Sequence, residues 1–257
     1  MKTRTSILLL FAATIMIITG CNKSGIRVKG NGNMTTETRS LSAFSIMINE
    51  GAFDVYIIQD SVSEVTIEAE SNLISHIDTD VSGTTLTIDT RDNLKNTKPM
   101  KLYIRTPDVN GVTLSGSGII DLGSISTDNI EVSLSGSGDI SGIVNAGFIS
   151  VSINGSGSAD MGVQCNQIET SISGSGDMYF DGLATTAHYN ISGSGAVKAY
   201  NLELSNCYTN ISGSGNMYVH ATEILDVKIS GSGSVYYIGT PQINIDITGS
   251  GSVINAN

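Results

Sequence analysis

Apolar and polar residues alternate with a period of two along much of the chain. Between residues 41 and 110 the alternation comes in short runs, which include Phe44, Ile46 and Ile48, then Phe53, Val55 and Ile57, then Val65, Ile67 and Ala69. Alternation at this period is typical of β-strands with one buried face. No stretch shows the periodicity of a useful amphipathic helix, so the pattern predicts an all-β protein.

From residue 111 onward a longer period is added to this alternation. The sequence Gly-Ser-Gly recurs at intervals of 18 to 20 residues, with its first glycine at Gly116, Gly136, Gly155, Gly174, Gly193, Gly213, Gly231 and Gly249. A fixed period of this length indicates stacked repeats. We therefore predict a β-solenoid with about 19 residues per rung and with Gly-Ser-Gly at a corner, where glycine permits positive φ and close backbone approach.

Alignment on the corners predicts which residues form the core. The column two residues before the first glycine is aliphatic in every copy: Leu114, Leu134, Ile153, Ile172, Ile191, Ile211, Ile229 and Ile247. The columns four and six residues before the corner, and four residues after it, are also mostly apolar. Since side chains alternate along a strand, these four columns are expected to point inward. Each rung then has a strand, a corner, a second strand and a looser return.

The sequence predicts one domain over residues 26–257, with irregular rungs at 26–110 and regular rungs at 111–257. Residues 28–34 resemble 211–217, which suggests that the stack starts early. Residues 92–99 are polar and include Lys95 and Lys98, so we expect a loop that projects from the stack.

Residues 1–20 have the pattern of a lipoprotein signal peptide. Lys2 and Arg4 precede an apolar run from 7 to 18, and Ile-Thr-Gly-Cys ends at Cys21. The run is too short to span a bilayer, which needs about 20 residues. We predict that Cys21 is lipidated and that 21–25 form a tether to the membrane. Asn22 favours the outer membrane, with the periplasmic and surface sides both left open.

Composition and charge exclude several kinds of partner. The chain has 24 acidic and 13 basic residues, for a net charge of −11. This balance argues against binding to nucleic acid and against electrostatic attraction to anionic lipid. Cys165 and Cys207 occupy different positions in the repeat, two rungs apart, so the distance limits of a disulfide predict free thiols instead.

No catalytic residue, metal ligand or cofactor is predicted. His76, His188 and His220 have unrelated positions in the repeat, whereas metal ligands must converge. The regular rungs contain few bases, so they present no acid–base pair on adjacent rungs. The region 41–110 is richer in acids, and a carbohydrate-active enzyme would place its site there, among Asp54, Asp60, Glu64, Glu68 and Glu70.

One outward column contains candidate binding residues. Five residues after the first glycine of each corner stand Asp121, Ser141, Asp160, Tyr179, Lys198, Tyr218, Tyr236 and Ile254. Tyr179, Tyr218 and Tyr236, with Lys198 between them, would form an aromatic strip suited to sugar rings or to the edge of another protein. The other interpretation is that tyrosine suits strands and covers neighbouring rungs.

The lipobox, the alternating N-terminal strands and the serial Ser-Gly-Ser-Gly corners resemble the head GIN domain family of auto-transporter adhesins. The resemblance covers about residues 40 to 257. It implies a single-stranded, right-handed β-helix located in the bacterial envelope, and it supplies no catalytic residues.

These observations lead to one expected function and two alternatives. We expect a non-enzymatic, lipid-anchored outer-membrane protein whose rigid β-helix surface serves adhesion or binds a glycan or an envelope or host protein. The first alternative is the carbohydrate-active enzyme described above. The second is a structural protein that forms homo-oligomers through its terminal rungs, because the sequence after Val253 predicts no capping helix.

Overall fold

The computed structural model describes residues 26–257, and strands make up most of them. Residues 1–25, including the predicted signal peptide and Cys21, lie outside the described part. One turn of 3₁₀ helix spans Ile74–His76. Within residues 26–257, no helix has the length and hydropathy required to cross a membrane.

The strands follow one another closely in the sequence. The N-terminal strands are β1 (Arg27–Lys29), β2 (Met34–Ser40), β3 (Ile46–Asn49), β4 (Asp54–Gln59), β5 (Glu64–Glu70), β6 (Ile77–Ser82), β7 (Thr85–Thr90), β8 (Asn93–Lys95), β9 (Lys101–Thr106) and β10 (Gly111–Gly116). The strands of the regular part are β11 (Ile119–Gly136), β12 (Asp139–Gly155), β13 (Ser158–Gly174), β14 (Asp177–Gly193), β15 (Ala196–Gly213), β16 (Asn216–Gly231), β17 (Ser234–Ile238), β18 (Gln242–Gly249) and β19 (Ser252–Asn255).

The molecule is a β-solenoid, as the repeat predicts. Each of the strands β11 to β16 runs from one corner to the next and pairs in parallel with the strand of the following rung. Corner glycines lie side by side, so that Gly136 pairs with Gly155 and Gly155 with Gly174. The solenoid has about 8 turns, spaced by about 19 residues.

The four columns that the sequence predicts to be inward form the core. In the column two residues before the corner, Leu114, Ile172 and Ile211 are fully buried, whereas Ile247 of the last rung is 36% exposed. Each side chain stacks on the same position of the next rung, so burial is continuous along the solenoid. Burial of one Leu or Ile side chain contributes about 1.5–3 kcal/mol to folding.

The corners require glycine for two backbone reasons. Gly136 has a φ of +133°, a conformation that side chains disfavour. A Cβ at Gly136 would overlap the carbonyl oxygen of Gly116, and a Cβ at Gly138 would overlap that of Gly118. Ser137 between them is exposed, and its N–H donates to the Gly116 carbonyl at 3.1 Å. The Gly-Ser-Gly sequence is therefore a structural corner.

The return segment is more ordered than the sequence predicts. Residues 143–146 pair in parallel with 162–165 of the next rung, so the return is a strand, although the register shifts of the ladder, as between Ala199 and Glu203, do fall in the returns. The ladder skips only the pair Gly147 and Asn166, where the rung bends. The reason is a further set of inward residues in the return, which includes the buried Val144 and Val163.

Stacking order departs from chain order at the N-terminal end. β10 and β11 pack on the rung formed by β3 and β4. The other side of that rung is covered by β7 and β9, which come later in the chain. Beyond them the strand pairing changes from parallel to antiparallel. β6 is antiparallel to β7, β5 is antiparallel to β9, and β2 is antiparallel to β5. Antiparallel strands therefore cover this end of the solenoid.

Two predictions for this end are wrong in detail. Residues 28–34 do not begin a rung, because β1 pairs with β8 in a separate two-stranded sheet. The same pairing makes part of 92–99 a strand, where the sequence predicts a projecting loop. Gly30 serves a different purpose from the corner glycines, since a Cβ there would overlap the carboxylate of Glu70.

Glu70 ties these two segments together. Its side chain is 1% exposed and accepts hydrogen bonds from the Thr97 N–H and the Thr97 hydroxyl, each at 2.7 Å, and from the Gly32 N–H. These bonds, with that of the Thr97 N–H the strongest, hold the pKa of Glu70 below its ordinary value although burial acts in the opposite direction.

The C-terminal end presents core positions to solvent. β18 pairs with β16 and β19 pairs with β17, each on one side only among the described residues. Ile245 is 55% exposed and Ile247 is 36% exposed, although the equivalent positions of earlier rungs are buried. The two ends of the solenoid therefore differ in chemistry.

Candidate functional site: a tyrosine groove on the solenoid face

The structure places Tyr179, Lys198, Tyr218 and Tyr236 side by side on one exposed face. They occupy equivalent positions on β14, β15, β16 and β17, where the ladder pairs Tyr179 with Lys198, Lys198 with Tyr218, and Tyr218 with Tyr236. The parallel register explains this proximity, because each residue follows its Gly-Ser-Gly corner by the same number of positions.

Lys198 is held by its neighbours on this face. Its Nζ lies 2.8 Å from the Tyr179 hydroxyl and 3.2 Å from Asp177 Oδ2, and 4.4 Å from the centroid of the Tyr179 ring. The hydrogen bond with Tyr179, supported by Asp177, raises the pKa of Lys198 above its ordinary value. The ammonium group therefore covers one face of the Tyr179 ring by a cation–π contact.

Tyr218 and Tyr236 form an aromatic stack with Tyr200 at its side. The rings of Tyr218 and Tyr236 have centroids 4.9 Å apart and planes 8° apart. Tyr200 meets Tyr218 edge to face, at 5.6 Å and 81°. Tyr218 and Tyr236 cover one face of each other, and the perpendicular ring of Tyr200 adds a second aromatic orientation beside this stack.

Tyr200 was missed by the sequence reasoning because it lies outside the aligned column. The ladder pairs Tyr179 with Lys198 but Asp181 with Asn201, so β15 contains one extra residue at this point. Such a β-bulge redirects side chains at the edge of a site. The 20-residue interval between Gly193 and Gly213 is the signal that could have located the bulge.

These side chains border a groove of about 460 Å³, which we call the tyrosine groove. Its lining consists of Asp160, Tyr179, Phe180, Asp181, Lys198, Tyr200, Asn201 and Tyr218. Phe180 is buried and belongs to the core. Asp160 and Asp181 are exposed, and neither makes a hydrogen bond or ion pair with another residue of the described part. The groove therefore combines aromatic walls with carboxylates that are free to accept hydrogen bonds.

A larger hollow of about 1070 Å³ lies near the bend of the first regular rungs. Its lining is mainly polar and acidic, with Asp108, Asp128 and Glu131 among its residues. Phe148 is its one aromatic residue, so it offers little apolar surface for a ligand. The tyrosine groove is the better candidate because it joins aromatic and polar groups.

A second pair of tyrosines lies on the same face nearer the N-terminal end. The rings of Tyr56 and Tyr103 stack with centroids 5.2 Å apart, and the Tyr103 hydroxyl donates to Glu68 Oε2 at 3.3 Å. Burial, with a contribution from Glu68, raises the pKa of Tyr103. The sequence does not reveal this pair, because the repeat period is blurred before residue 111.

The acids of the region 41–110 do not converge on an open site. Arg105 forms ion pairs with both Asp60 and Glu64, and its hydrogen bond to Asp60 lowers the pKa of that carboxyl group. Glu70 is enclosed by backbone donors, and Glu68 contacts Tyr103. Within residues 26–257, no cluster of three or more His, Cys, Asp or Glu side chains could hold a metal ion.

The cysteines and histidines are dispersed. Cys165 and Cys207 are free thiols, as the sequence predicts. Burial raises the pKa of Cys165 to about 11 and that of Cys207 further, so both are poor nucleophiles. His76 contacts Asp92 Oδ2 at 2.7 Å, whereas His188 stacks on Tyr208 on a different face.

The fold is a β-solenoid with an open, aromatic-lined groove on one face. The sequence matches the family described as "Putative auto-transporter adhesin, head GIN domain" over residues 43–160 and again over 140–241. The chain therefore belongs to this family, and the resemblance seen in the sequence is confirmed. The family description places its members among envelope or surface proteins of the adhesin type.

Crystal structures of three similar proteins share the fold. A "putative lipid binding protein" from Parabacteroides distasonis is 28% identical, with a TM-score of 0.86 over 90% of this chain and 100% of its own. A "putative adhesin" from Parabacteroides merdae is 22% identical, with a TM-score of 0.86 over 90% of this chain and 99% of its own. A "putative adhesin" from Bacteroides fragilis is 23% identical, with a TM-score of 0.66 over 89% and 99%. Among curated proteins, no significant match is found.

Proposed function

We propose that this protein is a lipid-anchored, non-enzymatic envelope protein that binds glycans through the tyrosine groove. The observation that carries the proposal is the meeting of Tyr179, Tyr200 and Tyr218 around the exposed carboxylates Asp160 and Asp181. Aromatic rings stack on the apolar faces of sugar rings, and carboxylates accept hydrogen bonds from sugar hydroxyls. The groove offers both kinds of contact within one open surface.

The rigidity of the solenoid supports binding at this face. The residues of the groove sit on strands that are hydrogen-bonded on both sides, and the core columns beneath them are fully packed. Side chains on such a sheet lose little freedom when a ligand binds. The cation–π contact and the ion pair of Lys198 hold Tyr179 in the same way before any ligand arrives.

The family and the sequence support the envelope location. The family is described as adhesin-like, and the leader with its lipobox at Cys21 is the pattern of an outer-membrane lipoprotein. One similar structure is described as lipid-binding, so phospholipid is a competing ligand. The carboxylates Asp160 and Asp181 disfavour anionic headgroups at this groove.

The enzyme alternative has weaker support. Four of the five acids named for it are engaged by Arg105, by donors around Glu70 or by Tyr103: Asp60, Glu64, Glu68 and Glu70. Retaining and inverting glycosidases need a pair of carboxyl groups that face the same bond.

The proposal is tested with a glycan array and the variant Tyr200→Ser/Tyr218→Ser. We expect the purified protein to bind a subset of neutral glycans and the double variant to lose about 1–3 kcal/mol of binding free energy, the size of effect found when an aromatic side chain that stacks on a nucleobase is removed. The matched control is Tyr208→Ser, because Tyr208 is an exposed tyrosine that lies on another face.

Two results would contradict the proposal. One is equal glycan binding by the wild type and the Tyr200→Ser/Tyr218→Ser variant while the control is also unchanged. The other is binding to phosphatidylcholine or phosphatidylglycerol vesicles, measured in parallel by co-sedimentation, with no binding to any glycan. Thermal unfolding of each variant checks that the fold is kept.

A further inference from the structure

The two groups of tyrosines lie on one continuous line of outward residues. The register of the ladder places in this line Tyr103, Tyr56, Asp121, Ser141, Asp160, Tyr179, Lys198, Tyr218 and Tyr236. We call this line the outer column. Four steps of the ladder separate Tyr56 from Tyr179, a distance of about 19 Å at the usual spacing of strands.

The ring faces of the outer column are directed along it. Two nearly parallel rings with centroids 5.2 Å apart, such as Tyr56 and Tyr103, overlap face to face. Tyr103 therefore covers one face of Tyr56, and the other face is directed toward Asp121. At the far end, Tyr179 lies between Lys198 and Asp160 in the ladder, and the ammonium group of Lys198 lies over one side of its ring, so we infer that the side nearer Asp160 is open. Each end of the interval thus presents one uncovered ring face.

Short, polar side chains line the interval between these two rings. Its floor in the outer column consists of Asp121, Ser141 and Asp160, which are exposed or half-buried. The neighbouring stretches 119–123, 139–143 and 158–162 contain no Lys, Arg or His. Carboxylates and hydroxyls bind sugar hydroxyls, and the lack of bases disfavours an anionic polymer. The chemistry of the interval therefore suits a neutral sugar chain.

We propose that Tyr56 and Tyr103 form a second subsite and that a linear, neutral polysaccharide lies along the outer column between it and the tyrosine groove. This inference rests on the proposed function of the groove. Two subsites on one rigid body raise the affinity of a ligand that reaches both, because the second contact is intramolecular. A disaccharide is too short to span about 19 Å, so the gain must depend on chain length.

The test measures the affinity of the purified full-length protein for neutral gluco-oligosaccharides and manno-oligosaccharides, from disaccharide to decasaccharide, by calorimetry. We expect the decasaccharide that binds best to do so about tenfold or more tightly than its disaccharide. Tyr56→Ser/Tyr103→Ser removes this gain and leaves disaccharide binding intact. The conservative Tyr56→Phe/Tyr103→Phe variant keeps the gain, because it retains both rings.

A blocking variant gives an independent measurement. Ser141 is on the floor of the interval and its side chain points away from the core, so Ser141→Trp fills the path without creating a cavity. We expect Ser141→Trp to bind the disaccharide normally and to lose the gain with the decasaccharide. This variant remains informative if Tyr56→Ser/Tyr103→Ser proves unstable in thermal unfolding.

The outcomes separate this inference from the proposed function. Disaccharide binding that depends on Tyr200, with no gain for longer chains, overturns the second subsite alone. A gain that survives in both Tyr56→Ser/Tyr103→Ser and Ser141→Trp also overturns it. Failure of all the oligosaccharides to bind overturns both proposals. Binding of poly-L-lysine in place of the oligosaccharides overturns the assignment of a neutral sugar chain.

Discussion

Two hydroxyl groups inside the solenoid lack a partner among the described residues. They are Thr170 Oγ1 and the Tyr189 hydroxyl, which lie next to each other in the inward column four residues before the corner. Thr209, the next residue of this column, instead donates to the Asp226 carbonyl at 3.2 Å. A buried hydroxyl without a hydrogen bond lowers the free energy of unfolding. These two hydroxyls therefore make this part of the core less stable than an apolar one would be.

We expect Thr170→Val to raise the free energy of unfolding by about 1 kcal/mol, because it replaces an unpaired hydroxyl with a methyl group of similar size. Thr209→Val is the matched control, since it removes a hydrogen bond from the same column. It should lower stability by about 1 kcal/mol. Urea denaturation followed by circular dichroism measures both values, and a loss of stability in Thr170→Val would show that its hydroxyl is satisfied.

At the scale of elements, the two terminal strands of the solenoid differ sharply. β2, the outer antiparallel strand at one end, exposes mainly Thr side chains and Glu37, with Met34 as its one exposed apolar residue. β18, the outer parallel strand at the other end, exposes Ile245 and Ile247 together with unpaired backbone groups. Polar edge strands resist pairing with other chains, whereas apolar ones favour it. Association between copies is therefore expected at the β18 end.

We predict that the purified protein forms a dimer through β18 and that Ile245→Glu/Ile247→Glu makes it a monomer. Two copies can pair their β18 ends with two-fold symmetry. A head-to-tail filament is disfavoured, because the β2 end offers no apolar surface to pair with β18. Ile143→Glu is the control, because Ile143 is 59% exposed on the side of the solenoid. Size-exclusion chromatography with light scattering gives the masses. A wild-type monomer at all concentrations would refute the prediction.

For the whole molecule, the proposal requires a membrane anchor at one end and a binding face along the side. The predicted lipid site at Cys21 precedes the described residues, and the outer column runs along the stacking direction from Tyr103 to Tyr236. The net charge of −11 gives no electrostatic attraction to anionic lipid. Membrane association must then come from the lipid itself, which anchors firmly when several acyl chains are attached.

We expect Cys21→Ser to move the protein from the membrane fraction to the soluble fraction of cells, whereas Cys165→Ser leaves it membrane-bound. Detergent phase partitioning with Triton X-114 measures the difference. Protease treatment of intact cells then tests the adhesin function, for which the wild type must be cleaved. Full protection of the wild type would place it on the periplasmic side and contradict a role in contact with other cells.

Much of the fold was predictable because the repeat makes local sequence and global structure agree. The repeat period alone predicts three features: the aliphatic column of Leu134 and Ile153, the glycines of the corners, and the proximity of Tyr179 to Tyr218. The order of the N-terminal strands did not follow, since β7 and β9 lie outside β3 and β4 although they come later in the chain. The local sequence pattern does not specify which side of a rung a later strand will cover.

The sequence by itself determined the rung, its corners, its core columns and the family, because a solenoid repeats the same short-range contacts. Tertiary structure alone decided where the rings and charges meet. It turned an extra residue in β15 into the bulge that places Tyr200 beside Tyr218, and it aligned Tyr56 and Tyr103 with the later tyrosines. It also engaged Asp60 and Glu64 with Arg105, and Glu70 with the donors of Thr97 and Gly32. These outcomes depend on contacts between residues far apart in the chain, which periodicity does not encode.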